Sequence, residues 1–215
     1  MDESKLIAFV RDKARNKLCG DSTGHDYYHV ERVAKLGVQL ARQEGADQLI
    51  CGICGYLHDY CRPDEKARGI SHAGSEALAM IRNVLAQSAI DKGSLELILE
   101  CIAEHEYYPH AGYLTPPRTL ESRILQDADR LDALGAIGIA RTFMYAGAHG
   151  SPMFLPDSGK ENLGIGTAVG HFYDKLLHLR DEMHTEAARR LACRGQEIME
   201  SFLTEFYAQW ECWIP

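Results

Sequence analysis

The chain has 215 residues, 46% hydrophobic and 25% charged, with a formal net charge of −8. That composition is typical of a globular protein with a sizeable core, and one domain is the default at this length. The acidity excludes a protein that grips long nucleic acid through its phosphates, but not one that binds a single phosphate ester at a local cationic site or through a metal.

The N-terminal stretch MDESKLIAFVRDKARNK scatters charges where a signal peptide would be apolar. Nothing later approaches the ~20 apolar residues of a membrane span, so the expected compartment is the cytoplasm. Seven cysteines without an export signal read as free thiols. Cys51, Cys54 and Cys61 include a CxxC pair, but no second CxxC or paired histidines accompany it. They read as small buried hydrophobes rather than zinc ligands.

In chain order, Leu6, Val10, Ala14 and Leu18 form a first apolar stripe, and Val30, Val33, Ala34, Gly37, Leu40 and Ala41 a second. Ile50, Ile53, Cys54 and Leu57 form a third. Further stripes run through Ala77 to Leu85, Leu95 to Ile102 and Ile124 to Leu131. Val169, Phe172, Tyr173, Leu176 and Leu177 follow, and Leu191, Ile198, Phe202 and Phe206 end the series. All keep the 3.6-residue period and none alternates as a strand does, so the fold class is all-α. The Gly- and Pro-rich stretches 107–120 and 147–164 read as surface loops able to cover a site. The expected organisation is a single domain, with a core over about residues 20–145 and a helical extension over about 164–212.

The dipeptide His-Asp occurs twice, at His25-Asp26 and His58-Asp59. The first precedes the second apolar stripe, where Asp26 suits a helix N-cap. The second continues the stripe of Ile50, Cys54 and Leu57, which turns His58 inward. His29 lines up with Val33, Leu36 and Leu40 in the same way. In LQDADRLDALG, Asp129 and Asp132 share a helical face with Leu125 and Ala128, while Asp127 faces elsewhere. A single inward histidine is usually a satisfied core residue. Several inward imidazoles and carboxylates together need a cation, because a buried carboxylate without a partner is costly. Two imidazoles with two carboxylates suit a divalent ion of the Mn, Fe, Co, Ni or Zn type, with positions left open for water.

HDYYHVERV, GYLHDY and QDADRLDALGAIGIAR, in this order, resemble the metal-bearing segments of the HD-domain superfamily of phosphohydrolases. SHAGSEALAMI and HFYDKLLHLRDEMHTEAARRLA resemble a branch of small stand-alone HD proteins, so the likeness covers most of residues 20–210. The resemblance implies an HD-type helical bundle with additional C-terminal helices. It assigns His29, His58, Asp59 and Asp129 as the metal ligands, and leaves His25-Asp26 as a flanking pair. His72 and His105 either hold a second ion, as in two-metal branches, or contact substrate phosphate. One divalent ion (Mn, Fe, Co, Ni, Zn or Mg) is expected, and two remain open.

The expected reaction is hydrolysis of a phosphate ester or anhydride, most simply of a nucleotide. Asp59 ligates the metal and steers the nucleophile, and Asp132 or His105 moves protons. Arg32, His25, His72 and Lys175 are the expected contacts to the substrate. The alternatives are a two-iron oxygenase on the same ligand pattern and a non-catalytic nucleotide sensor. The partner is thus a small phosphate compound, with no long nucleic acid and no membrane. The oligomeric state stays open.

Overall fold

The computed structural model describes residues 2–20, 23–106, 116–156 and 166–212, and every regular element among them is helical. The protein is all-α, and no helix among the described residues is long and apolar enough to cross a membrane. Of the two expected loops, residues 107–115 and 157–165 lie outside the described residues. The chain forms two compact units, Met1–Asp129 and Arg130–Pro215.

The first unit contains α1 (Glu3–Leu18), α2 (Tyr27–Glu44), α3 (Gln48–Leu57), α4 (Arg62–Arg68), α5 (Ser75–Leu85) and α6 (Lys92–Glu104), with α7 (Leu120–Asp132) as far as Asp129. Its organising element is α3. Every residue from Ile50 to Asp59 is buried, and α1, α2 and α6 pack around this helix. A helix without a solvent face must be apolar all round, and QLICGICGYL is. Its small residues let neighbours approach closely. A Cβ placed on Gly55 would lie 2.6 Å from the Ala34 backbone nitrogen of α2, so only glycine fits at that crossing.

Side-chain caps fix where the helices start. Asp26 accepts from the His29 amide at 2.9 Å to begin α2, and Asp47 accepts from the Ile50 amide at 3.0 Å to begin α3. Gly45, with φ of 78°, closes α2 in the left-handed conformation that glycine adopts without strain. Cys51, Cys54, Cys61 and Cys101 are buried and unbridged, and burial pushes the Cys61 thiol up to about 11. Among the described residues, no potential metal-holding group includes a cysteine.

The second unit starts in the last turn of α7 and contains α8 (Gly135–Ala148), α9 (Ala168–Asp174), a 3₁₀ turn (Leu176–His178) and α10 (Glu186–Trp210). Val169, Phe172 and Leu176 are buried, as their spacing requires. The last expected stripe is corrected. Leu191 and Ile198 are 37% and 40% exposed, and α10 instead buries Ala187, Ala188, Ala192, Gln196, Met199 and Leu203. Close approach explains the difference. A Cβ on Gly195 would lie 2.9 Å from the Leu134 side chain, so the small-residue face of α10 packs and its larger aliphatics turn outward. Phe202 and Phe206 are only half-buried, with Phe202 stacked on Phe172 at 5.7 Å.

Candidate metal centre

Among its described residues the first unit gathers five histidines and several carboxylates. His29 comes from the first turns of α2, and its position is set by the Asp26 cap on its own amide. His58 follows α3 directly, and Asp59 is the next residue. Asp129 comes from α7, His72 from the segment before α5, and His105 from the end of α6. His29, His58, Asp59, His72 and His105 are all buried.

His58 Nε2 lies 3.2 Å from His29 Nε2, 3.7 Å from Asp59 Oδ2 and 3.9 Å from Asp129 Oδ1. His29 Nε2 lies 3.5 Å from Asp59 Oδ2 and 3.4 Å from Asp129 Oδ1. His29, His58 and Asp129 form one potential metal-holding group, and His25, His29 and Asp59 form another that shares His29. The proton inventory points the same way. His58 Nδ1 donates to the Gly55 carbonyl at 2.9 Å, which leaves Nε2 as a bare lone pair. Burial lowers the His58 pKa to about 4, opposed in part by Asp59 and Asp129, so the ring is neutral at neutral pH. His58 Nε2 thus presents a lone pair to the neighbouring His29 ring and to the Asp59 and Asp129 carboxylates. Burial by itself would raise the Asp59 carboxyl. His58 and Arg62, with hydrogen bonds from His25 and His29, outweigh it and hold the group well below the usual carboxylate range. A bare imidazole nitrogen beside an ionised carboxylate fits a metal ion.

The two oxygens of Asp59 face different neighbours. Oδ2 faces the set just described and also pairs with His25 Nδ1 at 2.8 Å. Oδ1 accepts from Arg62 Nε at 2.9 Å and lies 3.8 Å from His72 Nε2. On that side His72 Nε2 is 3.2 Å from His105 Nε2 and 3.3 Å from Glu106 Oε1. His105 Nδ1 donates to the Ile102 carbonyl at 2.6 Å, and His72 Nδ1 pairs with Glu65, 3.1 Å from each carboxylate oxygen. Burial and the neighbouring His72 lower the His105 pKa. Asp59, His72 and His105 thus form a potential metal-holding group on this second side, adjoining the other two.

Arg62 lies against this second group. Its Nη1 donates to Glu65 Oε2 at 2.9 Å and its Nη2 to Glu106 Oε1 at 3.3 Å, in addition to the bond to Asp59. Burial works against its charge, but Asp59 and Glu106 more than offset this and raise its pKa further above the usual value. Sequence reading missed Arg62, Glu65 and Glu106. The available signal was spacing, since Arg62 stands three residues after Asp59 and Glu65 three after Arg62, on one helical face.

Of the other expected residues, Arg32 is half-buried on α2, one turn past His29. Lys175 is half-buried at the end of α9 in the second unit. Asp132 is buried in the second unit, where its Oδ2 accepts from Arg141 Nη1 at 2.9 Å. One expectation for α7 is corrected. Asp127 does not face away from the core but is fully buried, because Ile124 to Ala128 are buried around the whole circumference of the helix.

The HD domain family profile matches residues 26–134, half of the chain. Bacillus subtilis YpgQ, itself an uncharacterised protein, is 33% identical over 218 residues, covering 100% of this chain and 97% of its own. The crystal structure of Bacillus subtilis YpgQ in complex with ADP superposes with a TM-score of 0.76 at 32% identity, covering 100% of this chain and 98% of that one. An HD-superfamily hydrolase from Bacillus thuringiensis superposes at 0.76 with 33% identity, covering 97% and 98%. The matched segment contains His29, His58, Asp59 and Asp129, and the full-length relatives share its whole extent: the chain belongs to the HD-domain family.

Proposed function

We propose that the protein is a metal-dependent phosphohydrolase acting on a nucleotide, with a nucleoside triphosphate split into monophosphate and pyrophosphate as the leading reaction. The observation that carries this reading is that Asp59 Oδ2 and Asp129 Oδ1 both lie within 3.9 Å of the paired nitrogens His29 Nε2 and His58 Nε2. The nucleotide is supported by the ADP bound to YpgQ. In this reading the chain is a single HD-type protein whose second unit extends the domain.

A divalent ion held by these four side chains supplies Lewis acidity to a phosphoryl oxygen and acidifies the attacking water. Half the donors are imidazole nitrogens, which favours Mn, Fe, Co, Ni or Zn over Ca, with Mg a weaker fit. His25 is partly exposed and bonded to Asp59, so it is the group placed to pass a proton between the site and solvent. Asp59 holds and orients its neighbours through both oxygens. Arg32 offsets phosphate charge, while His72 and His105 line the substrate side.

Phosphorus NMR of a nucleoside triphosphate digest with Mn2+ tests this. Pyrophosphate as a product supports attack at the α-phosphorus, and free phosphate supports cleavage at an end group. Binding without turnover would make the protein a nucleotide sensor. Two irons per chain with oxygen uptake, and no phosphate product, would make it an oxygenase.

A further inference from the structure

The second ligand group, Asp59 with His72 and His105, raises the question of what balances its charge. Asp59 Oδ1 and Glu106 Oε1 are the carboxylate oxygens that lie nearest His72 Nε2 in this group, at 3.8 and 3.3 Å. Both are already taken by one side chain. Arg62 donates Nε to Asp59 Oδ1 and Nη2 to Glu106 Oε1, and its remaining arm donates to Glu65. Glu65 in turn holds His72 Nδ1. The guanidinium therefore uses the oxygens that a second cation would need.

We propose that Arg62 sets the nuclearity of this centre: its guanidinium takes the place of a second divalent ion and restricts the protein to one. The proposal rests on the metal-centre reading given above and deepens it. Three observations carry it. The oxygens are shared between Arg62 and the second group. The guanidinium stays protonated at every working pH and has no lone pair with which to ligate a metal. Asp59 is positioned like a bridging carboxylate, with Oδ2 facing one group and Oδ1 the other. A bridge whose outer oxygen already faces a fixed positive charge repels a second cation from that side.

The consequence reaches the chemistry. Two-metal sites clamp the attacking and the leaving oxygen with separate ions. With Arg62 in place, one side of the reaction is left to the fixed charge of the guanidinium, which Asp59, Glu65 and Glu106 hold in orientation.

Metal counting tests the proposal without reference to activity. The full-length protein is stripped with chelator, equilibrated with Mn2+ and measured by elemental analysis and electron paramagnetic resonance. Wild type is expected to hold about one ion per chain, with the signal of an isolated Mn2+. Arg62→Met is expected to hold about two, with an exchange-coupled signal, and the double variant Arg62→Met/His105→Ala to return to about one. Arg62→Gln, which keeps a polar side chain without the charge, gives the same reading if the methionine variant does not fold. About two ions in wild type, or about one in both neutral variants, would overturn the role of Arg62 alone. No ion in wild type would overturn the metal centre itself.

Discussion

At the residue scale, the two His-Asp pairs separate by what each side chain touches. Asp26 is a cap on the His29 amide, whereas His58 and Asp59 present bare acceptor atoms to other acceptors. His58→Ala is therefore expected to lose the metal. Asp26→Ala is expected to keep it and to lose ~1 kcal/mol of stability. Elemental analysis and urea denaturation of the two variants check both halves, and stoichiometric metal in the His58 variant would remove that residue from the ligand set. The metal-free protein should also be sensitive to acid. His58 has a pKa of about 4 against an ordinary 6.5 because burial disfavours the imidazolium. The unfolded chain takes up a proton between those values that the folded chain refuses. The stability contributed by the neutral ring is thus complete above pH 6.5 and lost as pH falls towards 4, at a cost of about 3 kcal/mol. The Asp59 and Glu65 carboxyls, both held low, push in the same direction at the acid end. Urea midpoints of chelator-treated protein across that range give the answer, and a flat profile would contradict it.

At the element scale, the α2–α3 crossing positions the centre. Gly55 is where the backbones of the two helices meet, and its carbonyl also fixes the His58 tautomer. Gly55→Ala is expected to cost ~1–3 kcal/mol through overpacking, and to weaken metal binding beyond what stability explains, because His29 and His58 ride on the two helices being forced apart. Calorimetric titration with Mn2+ separates the effects, and unchanged affinity in a destabilised protein would show that the crossing does not set the ligand distances. The same elements show what a sequence discloses. The inward direction of His29 and His58 was legible, because each continues an apolar stripe and burial follows period. Arg62 and Glu65 were not, since charges on a short helix look like any solvated face until the groups they pair with are known. Leu191 and Ile198 misled for the opposite reason: close approach through Gly195 outweighed hydrophobicity, and no periodicity encodes that.

At the scale of the whole molecule, the proposed ligands come from α2, the end of α3 and α7, and the packing of α1, α2 and α6 on α3 brings the first of them together. The all-α class and the HD-domain family were readable from end to end. The division into Met1–Asp129 and Arg130–Pro215 was not, because it falls inside the continuous helix α7, where composition does not change.

The contact between His29 Nε2 and Asp129 Oδ1 has a kinetic consequence. It joins the start of α2 to the C-terminal end of the first unit, so the proposed coordination cannot be complete until the chain segment between them has closed. Contacts of such long sequence separation tend to form late, after the rate-limiting barrier has been crossed. Metal should then slow unfolding and leave the refolding rate almost untouched. Stopped-flow denaturant jumps with and without Mn2+ should show a lowered unfolding limb and a superimposable folding limb. A faster folding limb would mean that the ion acts as a template rather than as a clasp.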